Sequence, residues 1–295
     1  SCFAFSIIMK SKYKETDKYE FIKILVLTQM MERRRMCMKS LKTIAKYIIL
    51  TYLLYTVSAI LVNSIFSNLG ETAVLGKYVG ARVVTNIIVL CTVIVIKNKK
   101  NINFSEKGLG STRKKIFCIG TTLILAVGFC MFNRLIYVIP AFESSLTTIP
   151  NGFTAEMVNW LNHSIVWFAL TCIFIPICEE LLFRGIILND LAKQYNATKG
   201  IALSAAIFAL FHLSTAVFVF PAFVIIGYLY YKKKNILYPI FYHISHNSFS
   251  FLLGNFMANS QKAEMAKIGI IGIIFIIFGI FLLYKGKHTK SEKNC

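Results

Sequence analysis

The chain has 295 residues, 56% of them hydrophobic, and a net charge of +20 from 33 Lys and Arg against 13 Asp and Glu. That apolar share exceeds the roughly 45–50% of soluble domains, and several separate runs approach the roughly 20 apolar residues that cross about 30 Å of hydrocarbon, which excludes a single soluble core. The positive charge flanks those runs instead of forming one patch, which argues for a lipid bilayer and against a nucleic-acid partner.

Residues 1–44 form a basic N-terminal arm. Its one apolar stretch, CFAFSIIM, is too short to span and has no small-residue cleavage site. The chain opens on Ser, and Met31, Met36 and Met38 are candidate true starts. Apolar segments follow at about 45–67, 81–96, 116–138, 163–189, 200–214, 216–231, 236–256 and 268–284. They predict an all-α, polytopic transmembrane bundle of about eight segments. It divides into N-terminal helices with an outer loop (45–160), a core (161–257), and a last helix with a basic tail (258–295). The outer loop at 140–162 is expected to hold a short interfacial helix carrying Trp160. As one helix, 201–231 would put Lys199 and Lys232–Lys234 on opposite faces, so a hairpin broken near 213–216 is predicted.

With the N-terminus inside, the runs MERRRMCMKSLK, KNKK, STRKK, YKKKN and KGKHTK all fall on one side. The basic residues outside that pattern are Lys77, Arg82, Arg134, Arg184, Lys262 and Lys267. This asymmetry is the positive-inside pattern, and it predicts a multi-pass protein of the cell membrane with both termini cytoplasmic. The eight cysteines include no CxxC pair and read as small apolar fillers. Cys178, beside two carboxylates, is in the wrong electrostatic setting for a thiolate nucleophile.

Ionisable groups inside membrane helices cost roughly 2.5–3.5 kcal/mol each on insertion scales, so each marks a candidate site. Here they are Glu179, Glu180, Arg184, His212, His243 and His246, with Asn247 as a polar companion. At 1.5 Å per residue, Glu179, His212, His243 and Asn247 reach similar levels, about 10–18 Å in from the cytoplasmic ends of their segments. Glu180 and Arg184 have the i, i+4 spacing of an ion pair, which also reads as a salt bridge near the interface. Glu179 projects about 100° away from Glu180, so the two carboxylates need not share a task. His243 and Asn247 lie one helical turn apart, and spacing alone leaves His246 open as their substitute.

These groups supply the parts of a hydrolase. A carboxylate held away from bulk water can act as a general base, with an imidazole beside it to orient the water. A side-chain amide and a second imidazole can donate to the oxyanion of a tetrahedral intermediate. No GxSxG or HExxH context occurs.

EELLFR (179–184), FALFH (208–212) and HISHN (243–247) resemble, in order, the EExxxR, FxxxH and HxxxN motifs of the CPBP family. This is the family of CAAX-protease and bacteriocin-processing (Abi) intramembrane endopeptidases. The resemblance covers about residues 160–257. It implies Glu179 as the general base, His212 as its partner, and His243 and Asn247 as the oxyanion site. Glu180, Arg184 and Phe208 would be supporting residues. It also implies a cavity open to the cytoplasmic side and a membrane-embedded or membrane-associated peptide or protein as substrate, in peptide maturation, bacteriocin immunity or signalling. No cofactor is expected; the zinc-dependent alternative, a metalloprotease, would use Glu179, His212 and His243. Two other classes fit the same polar residues: a transport relay, and a non-catalytic immunity protein that keeps only the fold.

Overall fold

The computed structural model describes residues 42–62, 64, 74–105, 111–139, 154–212, 215–256 and 260–288. The expectations for the arm and the tail beyond residue 288 lie outside the described residues. Two compact units divide the chain, Ser1–Ile48 and Ile49–Cys295; of the first, residues 42–48 are described and are helical.

The described residues are helical, with no strand among them. Helix α1 is Lys42–Val62, α2 is Val74–Lys100, and α3 is Thr112–Phe132, which tightens into 3-10 turns over Asn133–Tyr137. A short helix α4, Ala155–His163, precedes the long α5, Ile165–Gln194. Then come α6 (Ala197–Leu210), α7 (Ala216–Lys233), α8 (Leu237–Phe256) and α9 (Lys262–His288). Six of these are long and apolar enough to cross a membrane: α1, α2, α3, α5, α7 and α9. Helix α6 is shorter. Helix α8 has the length, but His243, His246 and Asn247 dilute its apolar character. This is the architecture of a multi-pass helical membrane protein.

Large apolar side chains on its outer faces agree. Ile270, Ile274 and Ile277 on α9 are 57%, 61% and 62% exposed, a surface that only lipid would tolerate at this density. The hairpin predicted within 201–231 is present as α6 and α7, but α6 ends at Leu210, which puts His212 in the turn beyond it. The short helix expected in the outer loop is α4. Thr154 caps it by accepting from Met157 N at 3.3 Å, and Trp160 is exposed.

Helices α3 and α9 pack backbone to backbone. A Cβ on Gly272 would stand 2.5 Å from Phe132 N and 2.6 Å from Gly128 O. A Cβ on Gly128 would stand 2.9 Å from Ile276 N. Only glycine permits this approach, the small-residue contact by which membrane helices gain packing without a hydrophobic driving force.

Contacts define the two ends of the bundle. At one end Lys100 Nζ pairs with Asp190 Oδ1 at 3.1 Å, Ser105 lies opposite Asn235, and Ile236 N donates to Phe104 O at 3.1 Å. The basic residues closing α2 and α7 therefore share an end. At the other, the rings of Tyr78 and Trp167 meet at 5.4 Å, the aromatic pairing expected near a membrane interface. Reporter fusions after Lys100, Lys234 and Lys287 are expected to read cytoplasmic together. A fusion after Lys234 that reads outside while Lys100 reads inside would contradict this arrangement.

Candidate active site

The site is built on α5 and α8. Pro176 cannot donate to the carbonyl one turn back, and α5 widens into π-helical turns over Ala169–Phe174 and again over Leu181–Leu188. Between them the α-helical turn Ile175–Glu180 carries both glutamates.

His243 of α8 joins the two carboxylates. Its Nδ1 donates to Glu180 Oε1 at 2.9 Å, and its Nε2 faces Glu179 Oε2 at 3.7 Å. The carboxylates diverge on their own helix, but an imidazole has a nitrogen on each side and can reach both. Glu180 Oε1 also accepts from Arg184 Nη1 at 3.1 Å. The pair does not reach solvent: Glu180 and Arg184 are 0% and 1% exposed. The guanidinium further donates to Phe223 O at 3.4 Å and lies 4.1 Å from the centre of the Phe223 ring. Arg184 thus fixes Glu180, and Glu180 fixes the tautomer of His243.

His212 is oriented differently. Its Nδ1–H donates to Phe208 O at 3.1 Å, which leaves the lone pair on Nε2. The ring stacks on Phe208 at 4.4 Å, and Phe208 in turn stacks on Phe223 at 3.7 Å and meets Phe183 edge-on at 4.8 Å. Asn247 is held by Nδ2 donation to Thr171 O at 3.0 Å and by His246 Nδ1 on its Oδ1 at 3.3 Å. His246 has its contacts on its own helix, with Asn247 and with the Tyr242 ring at 6.0 Å.

Glu179 and His212 open onto one cavity of about 760 Å³, together with Tyr55, Ala59, Ala81, Arg82, Thr85, Leu210, Phe211 and Thr215. His243 and Asn247 do not line it. From Glu179 toward the basic end, Leu182, Phe183, Ile186, Ile187 and Leu188 are packed to 3% exposure or less. The cavity lies on the other side of Glu179, where α1 and α2 contribute. Tyr55, Arg82 and Thr85 were missed as site residues. Arg82 carried a signal, a charge within an apolar segment, whereas Tyr55 and Thr85 carried none.

Glu179, His212 and His243, the set weighed for zinc, are not gathered as ligands. Among the described residues no three His, Cys, Asp or Glu side chains form a group that would hold a metal ion. Cys91, Cys118, Cys130, Cys172 and Cys178 are free thiols.

Comparison with curated proteins and with solved structures finds no match. The model of the family described as type II CAAX prenyl endopeptidase Rce1-like matches residues 161–249. All three motifs fall within that stretch, and over it the chain is similar to the CAAX-protease (CPBP) family.

Proposed function

We propose that the protein is an intramembrane endopeptidase that hydrolyses a peptide bond of a membrane-associated peptide or protein with water activated by Glu179. One observation carries the reading beyond the family match. A carboxylate inside a membrane bundle faces a cavity large enough for a peptide segment, flanked by one imidazole on the same cavity and another at 3.7 Å.

In this mechanism Glu179 takes a proton from a water molecule, and the hydroxide attacks the carbonyl carbon of the scissile bond. The tetrahedral intermediate collapses as the C–N bond breaks, and the proton passes from Glu179 to the leaving nitrogen. His212 Nε2, with its proton held on the other nitrogen, is suited to accept from the water and orient it. Asn247 is the proposed donor to the oxyanion, with His243 donating through Nε2–H once its ring carries a proton on both nitrogens. Asn247 serves this by turning one amide hydrogen from the Thr171 carbonyl toward substrate. Incubation of the full chain in lipid nanodiscs with membrane-anchored peptides, read by mass spectrometry of released fragments, tests the function. No release from any of them counts against it.

The HISHN segment separates the roles further. His243→Ala and Asn247→Ala are each expected to slow turnover by roughly 10²-fold or more, the scale of losing one oxyanion donor. His246→Ala is expected to cost much less, since it reaches the site through Asn247 and not directly. A dead His246→Ala beside an active His243→Ala would move the oxyanion assignment by three residues.

A glutamate mechanism needs no ion. Protein dialysed against a chelator is expected to retain its turnover, with substoichiometric zinc by metal analysis. Activity lost on chelation and restored by one equivalent of zinc would establish the metalloprotease alternative.

A further inference from the structure

Arg82 lies outside the matched stretch 161–249, on α2, and its side chain is exposed into the same cavity as Glu179. A guanidinium eight residues into an apolar helix is costly unless an anion answers it. The ion pairs among the described residues are Lys100–Asp190, Arg184–Glu180 and those of His243 with Glu179 and Glu180, and none includes Arg82. Among the described residues its ring contact is with Tyr78, at 5.6 Å, which steadies the guanidinium without neutralising it. The hydroxyls beside it are committed elsewhere: Thr85 donates to Ser58 Oγ at 2.8 Å, and Thr215 donates to His212 O at 3.3 Å. Tyr55 lies within electrostatic range of both Arg82 and Glu179.

We infer that Arg82 is a substrate-recognition residue that binds a carboxylate of the peptide while the scissile bond lies at Glu179. The inference rests on the endopeptidase reading. A planar guanidinium grips a carboxylate through two parallel hydrogen bonds, and a cavity walled by Tyr55, Ala59, Ala81, Leu210 and Phe211 strengthens that contact by excluding water. At about 3.3–3.6 Å per extended residue, a cavity of this volume places the carboxylate within a few residues of the cleaved bond. A free C-terminus and an Asp or Glu side chain offer the same chemistry.

The test uses the full chain with Glu179→Gln, so that peptides bind without turnover, in nanodiscs of phosphatidylcholine. The probes are three N-acylated, fluorophore-labelled Leu/Ala heptapeptides: one with a free C-terminal carboxylate, its C-terminal amide, and the amide with one Glu among its last three residues. Fluorescence anisotropy is expected to show one of the two acidic peptides binding roughly ten- to a hundredfold tighter than the plain amide, and which one identifies the source. Adding Arg82→Gln should abolish the difference while leaving amide binding intact; Arg82→Lys, which keeps the charge and the fold, should retain part of it. Equal binding of all three peptides, no binding of any, or a preference that survives Arg82→Gln overturns the inference. Turnover of the same peptides by the wild-type chain separates the two claims. Cleavage without an acid preference removes the role of Arg82 alone, and an acid preference without cleavage removes the endopeptidase reading alone.

Discussion

Glu179→Gln is expected to lower peptide release by roughly 10²- to 10⁴-fold, the range for a lost general base, while yield and thermal unfolding stay at wild-type values. The amide has nearly the carboxylate's size, and Glu179 lines a cavity instead of filling a packed gap. What changes is the ability to take a proton from water. His243 is still held through Nδ1 by Glu180, so its orientation should survive the substitution. Initial rates and unfolding curves on the same preparation decide the matter. Wild-type turnover in Glu179→Gln would sink the general-base assignment, and loss of both rate and fold would recast Glu179 as structural.

The largest stability effect is expected one turn along. Arg184→Ala leaves Glu180 fully buried without its cation, and breaking a buried pair in this way costs about 3–5 kcal/mol. It also removes the donor to Phe223 O and the cation over the Phe223 ring. Replacing both partners by apolar residues of similar volume avoids the stranded charge, so Glu180→Met with Arg184→Met is expected to recover much of the stability. Activity should not return with it, because His243 Nδ1 then has no acceptor to hold its ring. Thermal unfolding in detergent, read beside turnover, distinguishes the variants. An Arg184→Ala protein as stable as wild type would show that the pair contributes nothing to the fold.

Much of this was legible in residue spacing. The i, i+4 relation of Glu180 and Arg184 gave their contact, because both lie on one helix and local geometry decides it. The charge on Lys199 and Lys232–Lys234 gave the α6–α7 hairpin, because a single helix would have separated them. Spacing could not give the convergence of both glutamates on His243. That depends on where α8 crosses α5, a tertiary fact, and helical phase alone suggested that the carboxylates diverge. The tie from Asn247 to the Thr171 carbonyl was hidden for the same reason. Segment ends were missed where helices run on into polar residues. Helix α2 begins at Val74, not near 81, and so carries Lys77 and Arg82 within it. Arg82, inside the predicted segment 81–96 but set apart only as a basic residue outside the one-sided pattern, is part of a cavity wall.

The glycine contact between α3 and α9 bears on the order in which the protein is made. Gly128 emerges from the ribosome long before Gly272, and at about 5–20 residues per second the interval is on the order of ten seconds. During that time the face of α3 that will receive α9 has no backbone against it. The stretch carrying the glutamates and histidines is thus fully synthesised while one wall of the bundle is still missing, and the fold closes only when the last described helix arrives. A ribosome that stalls after residue 249 would leave in the membrane a chain with every hydrolytic group and an unfinished bundle.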